Sequence, residues 1–498
     1  MKQQSDLHQL IQSLSRTEKR YFTMDAQKSG RRSSRYLELF RALNKMETFD
    51  ESALQEKFGS SLATDKHYLY EAILRSMRDY RSSKSRAAQV KEMMLDANFL
   101  YQRGLYQQSE ERLRQAKSLA AELDDQISLL EITREQLNYV WTMKQKDFSE
   151  QIRRLLEEKD RYIHNINEEL GYLALAYQIQ MAKDKLKPGD KTARQLPFSE
   201  SDFAEAQLPE AAHAQRRFLQ SGALYYDMQS DFEKANHYYR RMVDWWDTYP
   251  NIKAEEYVRY LADLFNLLHA SYYQKKYQQF KNILDKISQE QPANYHDQQL
   301  IFKQLTNYQL LYHINLGVTE GYEDLLQRVS HGMSAYKLNP VSQLIMAFNV
   351  TVLLFILGKY KACQEWSDQV LRTYNRNVDS SQFRLSTLLI SLLAAYQTDE
   401  LDLFDSTARA LRRAIRSARE GVPTTFFTLC LQHCRKLNYA PQTERRELLN
   451  TFTAELRELL REKAQLPPLG MDDLVFNWLE SCRKRKALAT VFREQAAN

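Results

Sequence analysis

Between residues 65 and 82 the apolar side chains Leu69, Ile73, Leu74 and Met77 share one face of a predicted helix, with Arg75 and Arg78 opposite. A similar spacing organises residues 408–419, where Arg409, Arg412, Arg413, Arg416 and Arg419 form one basic stripe. Helices are also expected over 36–46, 51–58, 445–462 and 472–492, and Ser15-Arg-Thr-Glu18 has the form of a capping box ahead of another. The longest apolar stretches, such as 350–357, fall well short of the ~20 residues that a membrane-spanning helix needs.

Composition reinforces the helical reading. There are 12 glycines and 10 prolines in 498 residues, far below the roughly 12% of average usage, and no proline precedes Pro188. Proline breaks helix interiors and glycine weakens them, whereas β-rich folds need many turns that carry both. The predicted class is all-α. A hydrophobic content of 43% supports a large core, and 27% charged residues is ordinary for a folded chain.

A pattern recurs along the middle of the chain. The segment 100–109 (LYQRGLYQQS) places Gly104 and then Tyr106 between two helical stretches, and continues through Leu113, Ala116 and Ala120. Glycine closes the first helix, the aromatic wedges between the two, and a small residue three positions on lets them approach. Related turns stand at Phe148, Phe232, Tyr277, Tyr322, Tyr360 and Leu403, with intervals of 42, 84, 45, 45, 38 and 43 residues. The long interval fits two repeats with a turn near Lys187-Pro-Gly-Asp190. The small position is met by Ser109, Ala235, Cys363 and Ser406, but holds Gln151, Phe280 and Leu325 elsewhere. Over residues 90–420 this resembles the tetratricopeptide (TPR) repeat, with a period of about 42 rather than the usual 34. The resemblance implies a TPR-like α-solenoid of helical hairpins that binds a protein or peptide on its concave surface. The expected organisation is a basic N-terminal helical region over 1–90, the solenoid over 91–420 and a C-terminal helical cap over 421–498.

Charge sets the N-terminal region apart. Residues 1–90 carry 17 Lys/Arg against 11 Asp/Glu, which accounts for the whole net charge of +6. A short helix, a turn at Gly59 and a longer helix are compatible with a helix-turn-helix or winged-helix unit, and equally with a helical cap. In the alternative reading the chain is a transcriptional regulator that contacts DNA through Arg31, Arg32, Arg75 and Arg78. Glu71 and Asp79 share the outer face of the same helix and oppose that reading.

Candidate partner-binding residues are Arg409, Arg412, Arg413 and Arg416 on the basic stripe, suited to an acidic segment, and the aromatics Tyr226, Tyr238 and Trp245. Each aromatic belongs to an adjacent pair, of which either one member enters the core and the other lines the groove, or both pack between neighbouring hairpins. Cys430, His433 and Cys434 cluster on one helix but lack a second ligand pair for zinc, and read as core residues. No phosphate-binding loop, nucleophile elbow or His-Glu-x-x-His motif occurs, so neither a catalytic site nor a cofactor is expected. Four cysteines and an N-terminus without a secretory signal point to the cytoplasm. The reading is a scaffold or adaptor for a protein or peptide partner, with nucleic acid only through residues 1–90.

Overall fold

The structure, a computed structural model, describes residues 6–28, 35–46, 48–82, 84–143, 147–185, 199–203, 207–292, 294–373, 381–418, 424–461 and 467–496. Among them every regular element is helical, and no helix is long and apolar enough to cross a membrane. The chain divides into two compact units, Met1–Asp297 and Gln298–Asn498.

The first unit opens with α1 (Asp6–Ser13), α2 (Arg16–Lys28), α3 (Arg35–Lys45), α4 (Glu51–Phe58) and α5 (Leu62–Ser82). Their apolar faces meet in one core that includes Leu7, Ile11, Phe22, Leu37, Phe40, Leu69 and Ile73. The Ser15–Glu18 capping box forms as expected: Ser15 N–H donates to Glu18 at 2.7 Å and Glu18 N–H donates to Ser15 Oγ at 3.2 Å. Asp50 caps α4, and Lys66 is buried against Glu51 at 2.6 Å. The described residues of this region contain no strand, and so no wing.

Paired helices follow. In α6 (Arg86–Gln102) and α7 (Tyr106–Glu122) the chain reverses at Gly104, whose φ is 77°, and Leu105 N–H closes back on Leu100 O at 3.0 Å. Ser109 is buried beneath the turn and donates its hydroxyl to Ala97 O at 2.7 Å, so a small residue does bring the two helices together. α8 (Gln126–Met143) and α9 (Phe148–Lys185) form the next pair. The long sequence interval resolves here. α9 runs unbroken for 38 residues, first against α8, where Asn165 donates to Gln126, and then beside α10 (Ala212–Met228), where Ser221 donates to Tyr172 O. Residues 187–190, where a turn was expected, lie outside the described residues. α11 (Phe232–Thr248), the short α12 (Pro250–Glu255), α13 (Tyr257–Tyr273) and α14 (Tyr277–Ser288) complete this unit up to the start of α15 (Tyr295–Leu316).

The second unit continues with α16 (Tyr322–Ala335), α17 (Pro340–Ile356), α18 (Tyr360–Thr373), α19 (Ser381–Gln397), α20 (Leu401–Arg416), α21 (Thr424–Tyr439) and α22 (Gln442–Leu460). From α16 onward each of these helices packs on the next, and α17, α19 and α21 also pack side by side. α17 and α19 are the most buried helices, and Cys363 on α18 repeats the role of Ser109 by donating its thiol to Thr351 O at 3.5 Å. The expected small residue at Ser406 is corrected: α20 starts at Leu401, which puts buried Phe404 at that position and leaves Ser406 exposed. The last predicted helix is two, α23 (Met471–Lys484) and α24 (Leu488–Ala496), because Arg485 turns left-handed at φ 53°. α23 packs on α22 and also reaches back, Trp478 lying 5.7 Å from Tyr396 and Cys482 accepting from Gln397. α24 reaches further, to Gly317 at the end of α15, where Arg493 donates to Gly317 O at 3.1 Å.

One closure recurs through both units. A residue at positive φ, followed by a backbone N–H that bonds five residues back, ends the helices before α8, α11, α14, α18 and α20, at Asp124, Ser230, Lys275, Gly358 and Asp399.

Candidate protein-interaction surfaces

The first unit is locked internally around α10, α11 and α13. Arg216 on α10 donates from Nε and Nη2 to the two carboxylate oxygens of Asp263 on α13, at 2.8 and 2.9 Å, and Trp246 Nε1 donates to the same carboxylate at 2.8 Å. Burial pushes the Asp263 carboxyl up from its usual value, and the guanidinium pulls it back. Close by, α10 and α11 meet at Gly222, where an added Cβ would stand 2.6 Å from the Tyr238 ring.

These contacts decide the fate of the candidate aromatics. Tyr226, Tyr238 and Trp245 are buried and do not stand on the surface as anchors. Tyr238 donates to Phe203 O, Tyr226 and Tyr238 rings lie 5.4 Å apart, and Trp245 packs 4.8 Å from Tyr249. The physical reason is that Phe203 lies over Tyr226 and Tyr238, touching both members of the Tyr225–Tyr226 pair, while Tyr249 and His213 close over Trp245.

The surface above α10 is different. No residue of α10 is fully exposed; its outward positions Arg217, Gln220, Leu224 and Asp227 are half-buried and form a floor between α9 and α13. Lys183 of α9 pairs with Asp227, and burial, with Arg216 and Arg259 nearby, holds the Arg217 guanidinium below its usual value while Glu169 opposes this. The α13 wall exposes Arg259, Ala262, Asn266, His269 and Tyr273, spaced three or four apart. On α9, Leu156, Ile163, Leu170 and Tyr177 are exposed at intervals of seven. Tyr177 and Tyr273 are 63% and 67% accessible, among the most exposed aromatics described. The trough therefore offers aromatic, amide and guanidinium groups on rigid helices. Sequence reasoning missed it because α9 was not seen as one helix, although the seven-residue row from Leu156 to Tyr177 was present to be read.

In the second unit Arg409, Arg412, Arg413 and Arg416 stand exposed on one face of α20, as their spacing predicts; Arg419 lies outside the described residues. On α5, Arg75 and Arg78 are exposed together with Glu71 and Asp79, while Arg31 and Arg32 also lie outside the described residues.

Cys430 and Cys434 are fully buried, and burial drives both thiols well above their usual pKa. His433 between them stacks on Phe452 at 4.6 Å and bonds Glu455 at 2.9 Å. Among the described residues no group of three or more His, Cys, Asp or Glu could hold a metal ion. An open groove of about 610 Å³ lies between α9 and the segment around Asp202, lined by Glu168, Tyr172, Leu175 and Gln178. Comparison with known proteins finds no family model, no curated protein and no solved structure that matches this chain.

Proposed function

We propose that the chain is a scaffold or adaptor, a TPR-like solenoid that binds a protein or peptide partner in the trough over α10. The observation that carries this reading is the conjunction of exposed Tyr177 and Tyr273 with the half-buried polar floor of Arg217, Gln220 and Asp227. Aromatic anchors on rigid helices bind at low entropic cost, and guanidinium and amide groups beside them confer register. The recurring closure of the hairpins and the Ser109 and Cys363 contacts support the repeat resemblance.

The test compares proteins captured by the intact chain with those captured by a triple variant, Tyr177→Ala, Asn266→Ala and Tyr273→Ala. All three side chains are exposed, so helix content and melting should be unchanged. A partner held by the intact chain and released by the variant supports the trough. A partner retained by the variant at undiminished affinity places binding elsewhere.

A further inference from the structure

We propose that the outer surface of α20 and α21 is a second docking site, which takes a short acidic segment of a partner protein. Arg409, Arg412, Arg413 and Arg416 are exposed on α20, and Arg435 and Lys436 are exposed on α21. Tyr439 donates to Asp405 at 2.7 Å and fixes the antiparallel register of the two helices. One turn further along each helix, Arg409 and Arg435 come side by side. The six cations thus share one surface.

Solvated charge is often balanced by a neighbour on the same or an adjacent helix. Arg112, Lys117, Arg153 and Lys159, for example, each pair with a carboxylate. None of the six cations on α20 and α21 has an ion-pair partner among the described residues, and Asp405, one turn before Arg409, accepts from Tyr439. The helix dipole favours cations in a final turn, which covers Arg413, Arg416 and Lys436 but not Arg409 or Arg412. A cluster of cations unpaired among the described residues, carried on two helices of fixed register, is a surface prepared for an anion.

Its dimensions choose the anion. From Arg409 to Arg416 the stripe runs about 10 Å along the helix. Glu400 and Asp402, both exposed, bound it at the N-terminal end and would repel a long polyanion running past it. The α20 stripe itself carries no exposed aromatic, and the single exposed ring beside it, Tyr439, does not make the row of platforms on which successive bases stack. Three or four carboxylates on a short peptide fit this length, and the planar guanidinium groups match carboxylates two bonds at a time. This site lies in the second unit and stands whether or not the trough of the first binds.

The experiment titrates the full chain into a fluorescein-labelled tetraglutamate peptide and follows anisotropy at low salt. Micromolar binding is expected, weakened about tenfold or more when Arg409, Arg412, Arg413 and Arg416 are all changed to Gln. Arg75→Gln with Arg78→Gln should leave it unchanged. A photo-crosslinkable version of the peptide should label residues 401–439 of the unaltered chain, a result that does not depend on how the variant folds. No binding, equal weakening by the α5 pair, labelling elsewhere, or tighter binding of a single-stranded oligonucleotide that displaces the peptide would each overturn the proposal.

Discussion

Arg216 and Asp263, 47 residues apart, meet inside the first unit through two parallel hydrogen bonds, with both side chains almost wholly shielded from water. Removing one partner strands the other charge in a low-dielectric site. Arg216→Leu or Asp263→Leu alone should therefore destabilise the first unit by about 3–5 kcal/mol, while the double change costs clearly less than the sum of the two. Urea unfolding followed by far-ultraviolet circular dichroism measures all three.

The hairpin turns give a second prediction. A Cβ at Gly104 or Gly358 would meet nothing closer than 3.9 Å, so only the left-handed backbone opposes a larger residue. Gly104→Ala and Gly358→Ala should each cost about 1–2 kcal/mol. Lys275, which adopts the same conformation at φ 55°, should gain about 0.5–1 kcal/mol on change to Gly, because relief of strain outweighs the added freedom of the unfolded chain. Denaturation midpoints of the three variants decide the matter.

That contrast also shows what the sequence could tell. Gly104 and Gly358 announce their turns by residue type. Asp124, Ser230, Lys275 and Asp399 close helices in the same way with side chains that carry no such signal, so these turns were found from the aromatic that follows or not at all. The arginine stripe of α20 was legible because helical spacing alone decides which face a surface residue takes. For Tyr226, Tyr238 and Trp245 spacing leaves groove and interior both open, and Phe203 and Tyr249, which reach them only in three dimensions, decide for the interior.

Thiol chemistry offers a third check. Burial raises Cys363 to about 12 and Cys482 to about 11, and lifts Cys430 and Cys434 as well. Thiolate is the reactive form, so all four free cysteines should resist an aromatic disulfide reagent at neutral pH and react together once urea unfolds the chain. Rapid modification of the native protein would contradict this placement.

Two histidines set a pH dependence. Loss of water around half-buried His313, and around the partly shielded His269 ring on the α13 wall, holds both below their usual pKa, against the pull of Asp227 on His269 and of the Val318 carbonyl on His313. The unfolded chain therefore takes up these protons more readily than the folded one. Stability should be complete above the unfolded value near 6.5 and should decline as the pH falls from there through the lower folded values. Urea midpoints taken between pH 7.5 and 5.5 should follow that course, and His313→Gln should flatten it.

Arg75 and Arg78 test the DNA reading. They sit in the later turns of α5, whereas its first turn carries Asp65, paired with Arg35. A recognition helix reads bases with its N-terminal end, where neither arginine stands. Changing both arginines to Gln should leave the affinity for duplex DNA within about twofold across salt concentrations, since no phosphate contact is lost. A fall in the salt slope by about two would restore the regulator.

The seat of α24 on Gly317 has a consequence for how the protein is made. An added Cβ at Gly317 would stand 2.1 Å from Ala489 O, so the two segments touch backbone to backbone across more than 170 residues of chain. Closing so long a loop is entropically slow, and it cannot begin before Ala489 has been synthesised. Until then the end of α15 waits uncovered, and during translation that turn is a natural place for a chaperone to hold on.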